Sequence, residues 1–154
     1  MIVGATECLG CHKRTPVVGI GIDQYFSIED DSSGKRNYKF YNKDMHICPL
    51  FPELPDELLN YLINNFGVRI GRLKTGKANC IENHCSNCSS LQDNSFIFNE
   101  EGPPFFITEP EDLKELTVLK YKLPYDIACA PGIKISPTDD MIKRYADIKQ
   151  LKLK

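Results

Sequence analysis

Two Cys-x-x-Cys pairs, "ECLGCHK" at residues 7–13 and "ENHCSNCSS" at residues 82–90, limit what this chain can fold into more than any other feature. Each pair offers two thiols from one tight turn. Zinc in a structural site takes four tetrahedral ligands, and thiolates serve it well. Cys8, Cys11, Cys85 and Cys88 are therefore the expected ligands of one structural Zn2+. The two pairs are far apart, with 73 residues between Cys11 and Cys85. Closing a loop of that length costs roughly 4 kcal/mol. Structural zinc supplies about 10–16 kcal/mol in small peptides, so the metal outweighs the loop. The long insert then folds as the body of the protein.

Other ligand sets stay open at this stage. His12 or His84 can replace a sulfur, and so can Cys80. Four cysteines also suit an iron–sulfur cluster, which spacing alone does not separate from zinc. A redox dithiol fits less well, because neither pair stands between a strand and a helix. His12 follows the first knuckle and His84 precedes the second. They suit either donors behind the metal-bound sulfurs or partly exposed loop residues, and the second expectation is the plainer one. Cys48 and Cys129 lack a partner at ligand spacing and read as small buried apolar residues.

The knuckle cysteines also account for the chain's thiol content. Seven cysteines in a chain without a basic, apolar leader point to a reducing, cytoplasmic setting, where paired spacing means metal. No stretch approaches the roughly 18 apolar residues of a membrane span. The length of 154 residues suits one domain, residues 1–154. The net charge of −2 argues against a uniformly basic phosphate-binding protein but leaves room for local patches.

Patterning gives a strand-rich α+β fold with about three helices. "PVVGIGI" and "NYKFYN" read as strands. "LPDELLNYLINNFG" carries Leu58, Leu62 and Phe66 at helical spacing, opens with Pro55 and closes at Gly67. "VRIGRLKTGKANCI" reads as a basic strand turning at Thr75–Gly76, and "SFIF" and "PFFIT" as short strands around the "NEEGPP" loop. Thr108 with Glu111 makes a capping box before "PEDLKEL", and "TVLKYKL" reads as a strand. Ser136 and Pro137 open a final helix expected to run through Leu151.

The segments "CLGCHKRTPVVG" and "NHCSNCSSLQDNSFIFNEEGPPF" together resemble a group of small bacterial zinc-ribbon-like proteins. In that group the first Cys-x-x-Cys precedes Thr-Pro-Val-Val. The second knuckle reads Asn-His-Cys-x-x-Cys-Gly-x-Leu-Gln-Gly-Asp. Asn83, His84, Cys85, Cys88, Leu91 and Gln92 match that pattern, and Glu100, Gly102, Pro104 and Phe105 match approximately. The likeness spans roughly residues 7 to 107. Ser89 replaces the knuckle glycine, and Asp93-Asn94 stands where the family has Gly-Asp. The resemblance implies the metal site and no particular activity.

Catalytic signatures are missing. There is no His-Glu-x-x-His, no deaminase motif and no phosphate loop. A four-thiolate site keeps no open position for water. The expected function is recognition of nucleic acid or a protein partner, using the basic strands near Arg69–Lys77. Lys35, Arg36, Lys39 and Lys43 interleave with Tyr38, Phe40 and Tyr41, and Arg69, Arg72, Lys74 and Lys77 form a second basic segment. Such mixtures pair phosphates and stack bases. The plainer expectation is a solvated basic face with its aromatics in the core. The competing class is a metal-dependent enzyme, a hydrolase or nuclease, built from loop carboxylates and the knuckle histidines.

Overall fold

The computed structural model describes residues 1–48, 54–72, 79–99, 104–127 and 135–153. Expectations for Lys74, Lys77, Thr75, Gly76, Cys129 and most of the "NEEGPP" loop fall outside these residues, as does the side chain of Arg72.

The chain is mixed α+β and rich in strands. A five-stranded sheet runs in the order β10-β9-β1-β2-β5. Its strands are β1 (Ile2–Glu7), β2 (Arg14–Ile22), β5 (His46–Cys48), β9 (Thr117–Lys120) and β10 (Asp147–Gln150). Neighbours are antiparallel except β10 and β9, which are parallel. Side chains alternate between the two faces of a strand. Val17 accordingly packs in one core cluster with Ile97, Phe105 and Ile142, and Val18 in another with Leu58 and Leu62.

Helix α1 (Asp56–Phe66) covers the second cluster. Asp56 and Glu57 sit in its first turn, where carboxylates meet the positive end of the dipole. Gly67 closes it at φ 65°, a conformation that glycine adopts without a Cβ penalty. Leu58 and Leu62 are buried.

Helix α2 (Asn94–Asn99), a 3-10 helix (Pro110–Glu115) and α3 (Asp139–Tyr145) bring their apolar residues to the first cluster. Three sequence expectations change here. "SFIF" is helical, because the carboxylate of Asp93 accepts the Ser95 N–H at 2.7 Å and opens a helix instead of a strand. "PFFIT" pairs in no sheet; Phe105 instead stacks on Phe98 with ring centroids 4.9 Å apart. The last helix stops at Tyr145, and Asp147–Gln150 joins the open edge of β9.

Two caps also shift. Pro110 takes the first position of the 3-10 helix, so Glu109 is its cap. The acid that reaches back is Asp112, which accepts from the Thr108 and Glu109 N–H groups at 2.8 and 3.1 Å. At α3 the cap is Thr138, and Asp139 accepts the Ser136 N–H at 2.7 Å.

Two smaller sheets complete the fold. β3 (Tyr25–Asp30) and β4 (Arg36–Tyr41) form a two-stranded ribbon. β6 (Arg69–Arg72), β7 (Asn79–His84) and β8 (Leu91–Gln92) form a three-stranded sheet. Among the described residues, no helix is long and apolar enough to cross a membrane.

Candidate metal centre

Each Cys-x-x-Cys lies in the loop of an antiparallel hairpin, the first between β1 and β2 and the second between β7 and β8. The two loops have the same hydrogen bonds. Cys8 N–H donates to the Lys13 carbonyl at 3.0 Å, and Cys85 N–H to the Ser90 carbonyl at 2.8 Å. His12 N–H returns to the Cys8 carbonyl, and Ser89 N–H to the Cys85 carbonyl, both at 2.9 Å. The residue after each second cysteine takes a left-handed backbone, with φ 57° at His12 and 61° at Ser89. That explains why a glycine suits the Ser89 position: the conformation costs other residues about 1–2 kcal/mol.

Asn83 brings the hairpins together. Its side-chain oxygen accepts the Val18 N–H at 2.7 Å, and its amide donates to the Val18 carbonyl at 3.0 Å. One side chain thus pairs with β2 as a strand would. Thr15 adds a second link, its hydroxyl accepting the Ser86 N–H at 3.0 Å.

The result is a cluster of four sulfurs, all within 4.8 Å of one another. Cys8 Sγ lies 3.6 Å from Cys88 Sγ, and Cys11 Sγ 3.7 Å from Cys85 Sγ. Four thiolates at the usual zinc–sulfur distance of about 2.3 Å make a tetrahedron with edges of about 3.8 Å. The cluster matches that size. Its members come from both ends of the long insert, and they are arranged to bind a metal ion.

The surroundings favour negative sulfur at Cys85 and Cys88 but not at Cys11, where the Lys13 N–H lowers the thiol yet burial and the Cys88 and Cys85 sulfurs raise it on balance. Gly10 N–H donates to Cys8 Sγ at 3.3 Å and Asn87 N–H to Cys85 Sγ at 3.4 Å. The Asn87 side-chain amide reaches Cys11 Sγ at 3.5 Å, and the Ser90 hydroxyl lies 3.2 Å from Cys88 Sγ. Gln92 turns its amide nitrogen to Cys8 Sγ at 3.4 Å and the Ser90 carbonyl at 3.0 Å. That orientation leaves Gln92 Oε1 buried without a partner among the described residues. Backbone N–H groups of Cys88 and Asn87 hold the Cys85 thiol down to about 6, against burial. The Ser90 hydroxyl and N–H likewise lower Cys88.

The other expected residues fall in different places. His12 is exposed and pairs with Glu7 at 2.9 Å. His84 is mostly buried, with Nδ1 at 3.0 Å from the Ser89 carbonyl and Nε2 at 3.3 Å from Glu82. Cys80 is buried on β7, opposite Gly71 and outside the four-sulfur group. Cys48 is buried in the second core cluster. Lys35 and Arg36 lie at the exposed tip of the β3–β4 ribbon, and Arg69 is exposed on β6 opposite Glu82. Among the described residues, Lys35, Arg36 and Arg69 lie outside the four-sulfur group.

The ribbon reverses one expectation. Its aromatics are not in the core: Phe26 is 59% exposed, Tyr38 64% and Phe40 50%, with Ile28 at 60%. A tertiary pair missed by the sequence reading anchors the ribbon's base. His46 Nδ1 and Asp139 Oδ2 lie 2.7 Å apart and are both buried. The Tyr25 ring meets His46 edge-on and stacks on Tyr41. Lys143 on α3 donates to the carbonyls of Asn42 and Lys43. Nothing in the spacing of residues 46 and 139 announces this pairing.

Comparison with protein-family models, with curated proteins and with solved structures gives no match for this chain. The four-cysteine cluster is consistent with a zinc-knuckle-like site.

Proposed function

We propose that the chain is a non-catalytic recognition module of one domain. In this reading Cys8, Cys11, Cys85 and Cys88 hold one structural zinc ion in a zinc-ribbon arrangement. The observation that carries it is the closure of the four sulfurs to within 4.8 Å, each with a hydrogen-bonding neighbour on the protein side. Such a set has no vacancy for a substrate or an activated water. The zinc ties the two hairpins together, and recognition falls to the surface away from it.

The β3–β4 ribbon is that surface. Large apolar side chains stand exposed on it in cross-strand pairs. Charge decides between the two partner classes. Residues 25–44 contain Glu29, Asp30, Asp31 and Asp44 against Lys35, Arg36, Lys39 and Lys43. A balanced ribbon gains little from phosphate neutralisation, which dominates nucleic-acid affinity. An apolar, neutral face suits a protein partner.

Two observations favour other readings. Exposed Phe26, Tyr38 and Phe40 beside Lys35 and Arg36 would also stack single-stranded bases. The His12–Glu7 and His84–Glu82 pairs are the carboxylate–histidine combinations a metal-dependent hydrolase or nuclease would use. The test is titration of single-stranded oligonucleotides at low salt, followed by tyrosine fluorescence, with hydrolysis products assayed in parallel. Neither binding nor cleavage is expected. Salt-sensitive binding lost in Arg36→Glu would establish the nucleic-acid reading, and cleavage lost in His84→Ala the enzymatic one.

A further inference from the structure

We infer that the exposed face of the β3–β4 ribbon docks on the same face of a second copy of this chain. The inference rests on reading the ribbon as the recognition surface and names its partner.

The register places Phe26 opposite Phe40, Ile28 opposite Tyr38 and Asp30 opposite Arg36. Alternation along the strands puts these six side chains on one face. The other face carries Tyr25 and Tyr41 and turns to the body, where Tyr25 meets His46. The Phe26 face therefore points away from the body and is open to a neighbour.

Symmetry supplies the occupant. Two such faces can stack about a two-fold axis parallel to the strands. Strand β3 of one copy then lies over β4 of the other. Every residue meets the copy of its own cross-strand partner. Phe26 meets Phe40, Ile28 meets Tyr38, and Asp30 meets Arg36, each twice. Within one chain the Asp30–Arg36 pair is loose, at 3.9 Å, and both side chains are well exposed. They are free to exchange partners across the axis. No like charges face each other in this arrangement.

The size of the face sets the strength. Aromatic side chains bury roughly 150–250 Å² each. Four apolar residues that are 50–64% exposed offer roughly 450 Å² per copy, or roughly 900 Å² in the pair. Stable interfaces bury about 1,200–2,000 Å². An area below that range gives a weak, reversible dimer, to be sought between about 1 µM and 1 mM.

Sedimentation equilibrium across that concentration range tests this on the full, metal-loaded chain. Wild type is expected to shift from monomer to dimer. Asp30→Arg alone and Arg36→Asp alone each bring four like charges together, and each is expected to stay monomeric. Mixed in equal amounts, the two variants restore opposite charges at both contacts and are expected to form a heterodimer. Unchanged circular dichroism and metal content in both variants establish that they fold. A wild type that stays monomeric overturns the inference, as does a mixture that stays monomeric while wild type dimerises. Neither result touches the metal reading, whose own test is the ion's coordination. An oligonucleotide that binds the ribbon would instead count against its reading as a protein surface.

Discussion

Ser89 sits at φ 61° immediately after the second knuckle, and nothing in its side chain relieves the backbone cost of that position. Ser89→Gly is expected to stabilise the protein by about 1 kcal/mol. In a chain of this size that raises the thermal midpoint by about 2–4 °C, read by calorimetry. A lowered midpoint would mean that the left-handed turn is misassigned. Asn83 gives the opposite prediction. Asn83→Ala leaves the N–H and carbonyl of Val18 buried without partners and is expected to cost about 3 kcal/mol in urea unfolding. At this scale the sequence spoke unevenly. The cysteines announced themselves through spacing, because two thiols from one turn have few other uses. Asn87 and Ser90 did not, and Gln92 stood out only as a motif match, because a polar residue's aim at a sulfur depends on the turn geometry that places it.

At the scale of elements, local signals held where they were self-sufficient. Helix α1 has its opener, its apolar stripe and its closing glycine within one segment, and it forms where the pattern predicts. The four-residue run "SFIF" has no period long enough to separate helix from strand. Its capping Asp93 decided the matter. Asp147–Gln150 continues a helical pattern but becomes a strand, because β9 offers an unpaired edge that no local rule can see. Asp112 tests the 3-10 helix. Hydrogen bonds from Thr108 and Glu109 hold its carboxyl below the usual range despite partial desolvation. The stabilisation is therefore full above about pH 4, the ordinary aspartate value, and is lost as pH falls through the lower, folded-state value. Asp112→Ala is expected to cost about 1 kcal/mol at neutral pH, with the difference from wild type vanishing in acid. A pH-independent difference would assign its effect to packing. The ribbon's anchor has its own test. His46→Ala leaves Asp139 buried with its Ser136 bond and no imidazole, and it loosens the support beneath Tyr25. Faster amide exchange at residues 36–41, with metal content unchanged, is the expected result.

For the whole molecule, the long insert is both body and tether. β2 of the central sheet leaves the first knuckle, and β7 of the three-stranded sheet enters the second, so a metal held by the four sulfurs would join two sheets that Asn83 has already aligned. The sequence made the pairing of the knuckles legible but not the ribbon's exposed face. Alternating aromatics look alike whether they point into a core or away from it. Thiolate demand also sets a pH dependence. The Cys85 thiol of the metal-free protein is held at about 6, below its ordinary range, mainly by the Cys88 N–H. The charged form is thus favoured by folding, and that benefit is lost as pH falls through about 6. Protons compete with the metal for all four thiolates, so metal affinity is expected to fall as pH falls. X-ray absorption at the zinc edge of the purified protein tests the central claim most directly. One zinc per chain with four sulfurs at about 2.3 Å is the expected result. A nitrogen or oxygen atom in the coordination sphere, or a different metal, would contradict it.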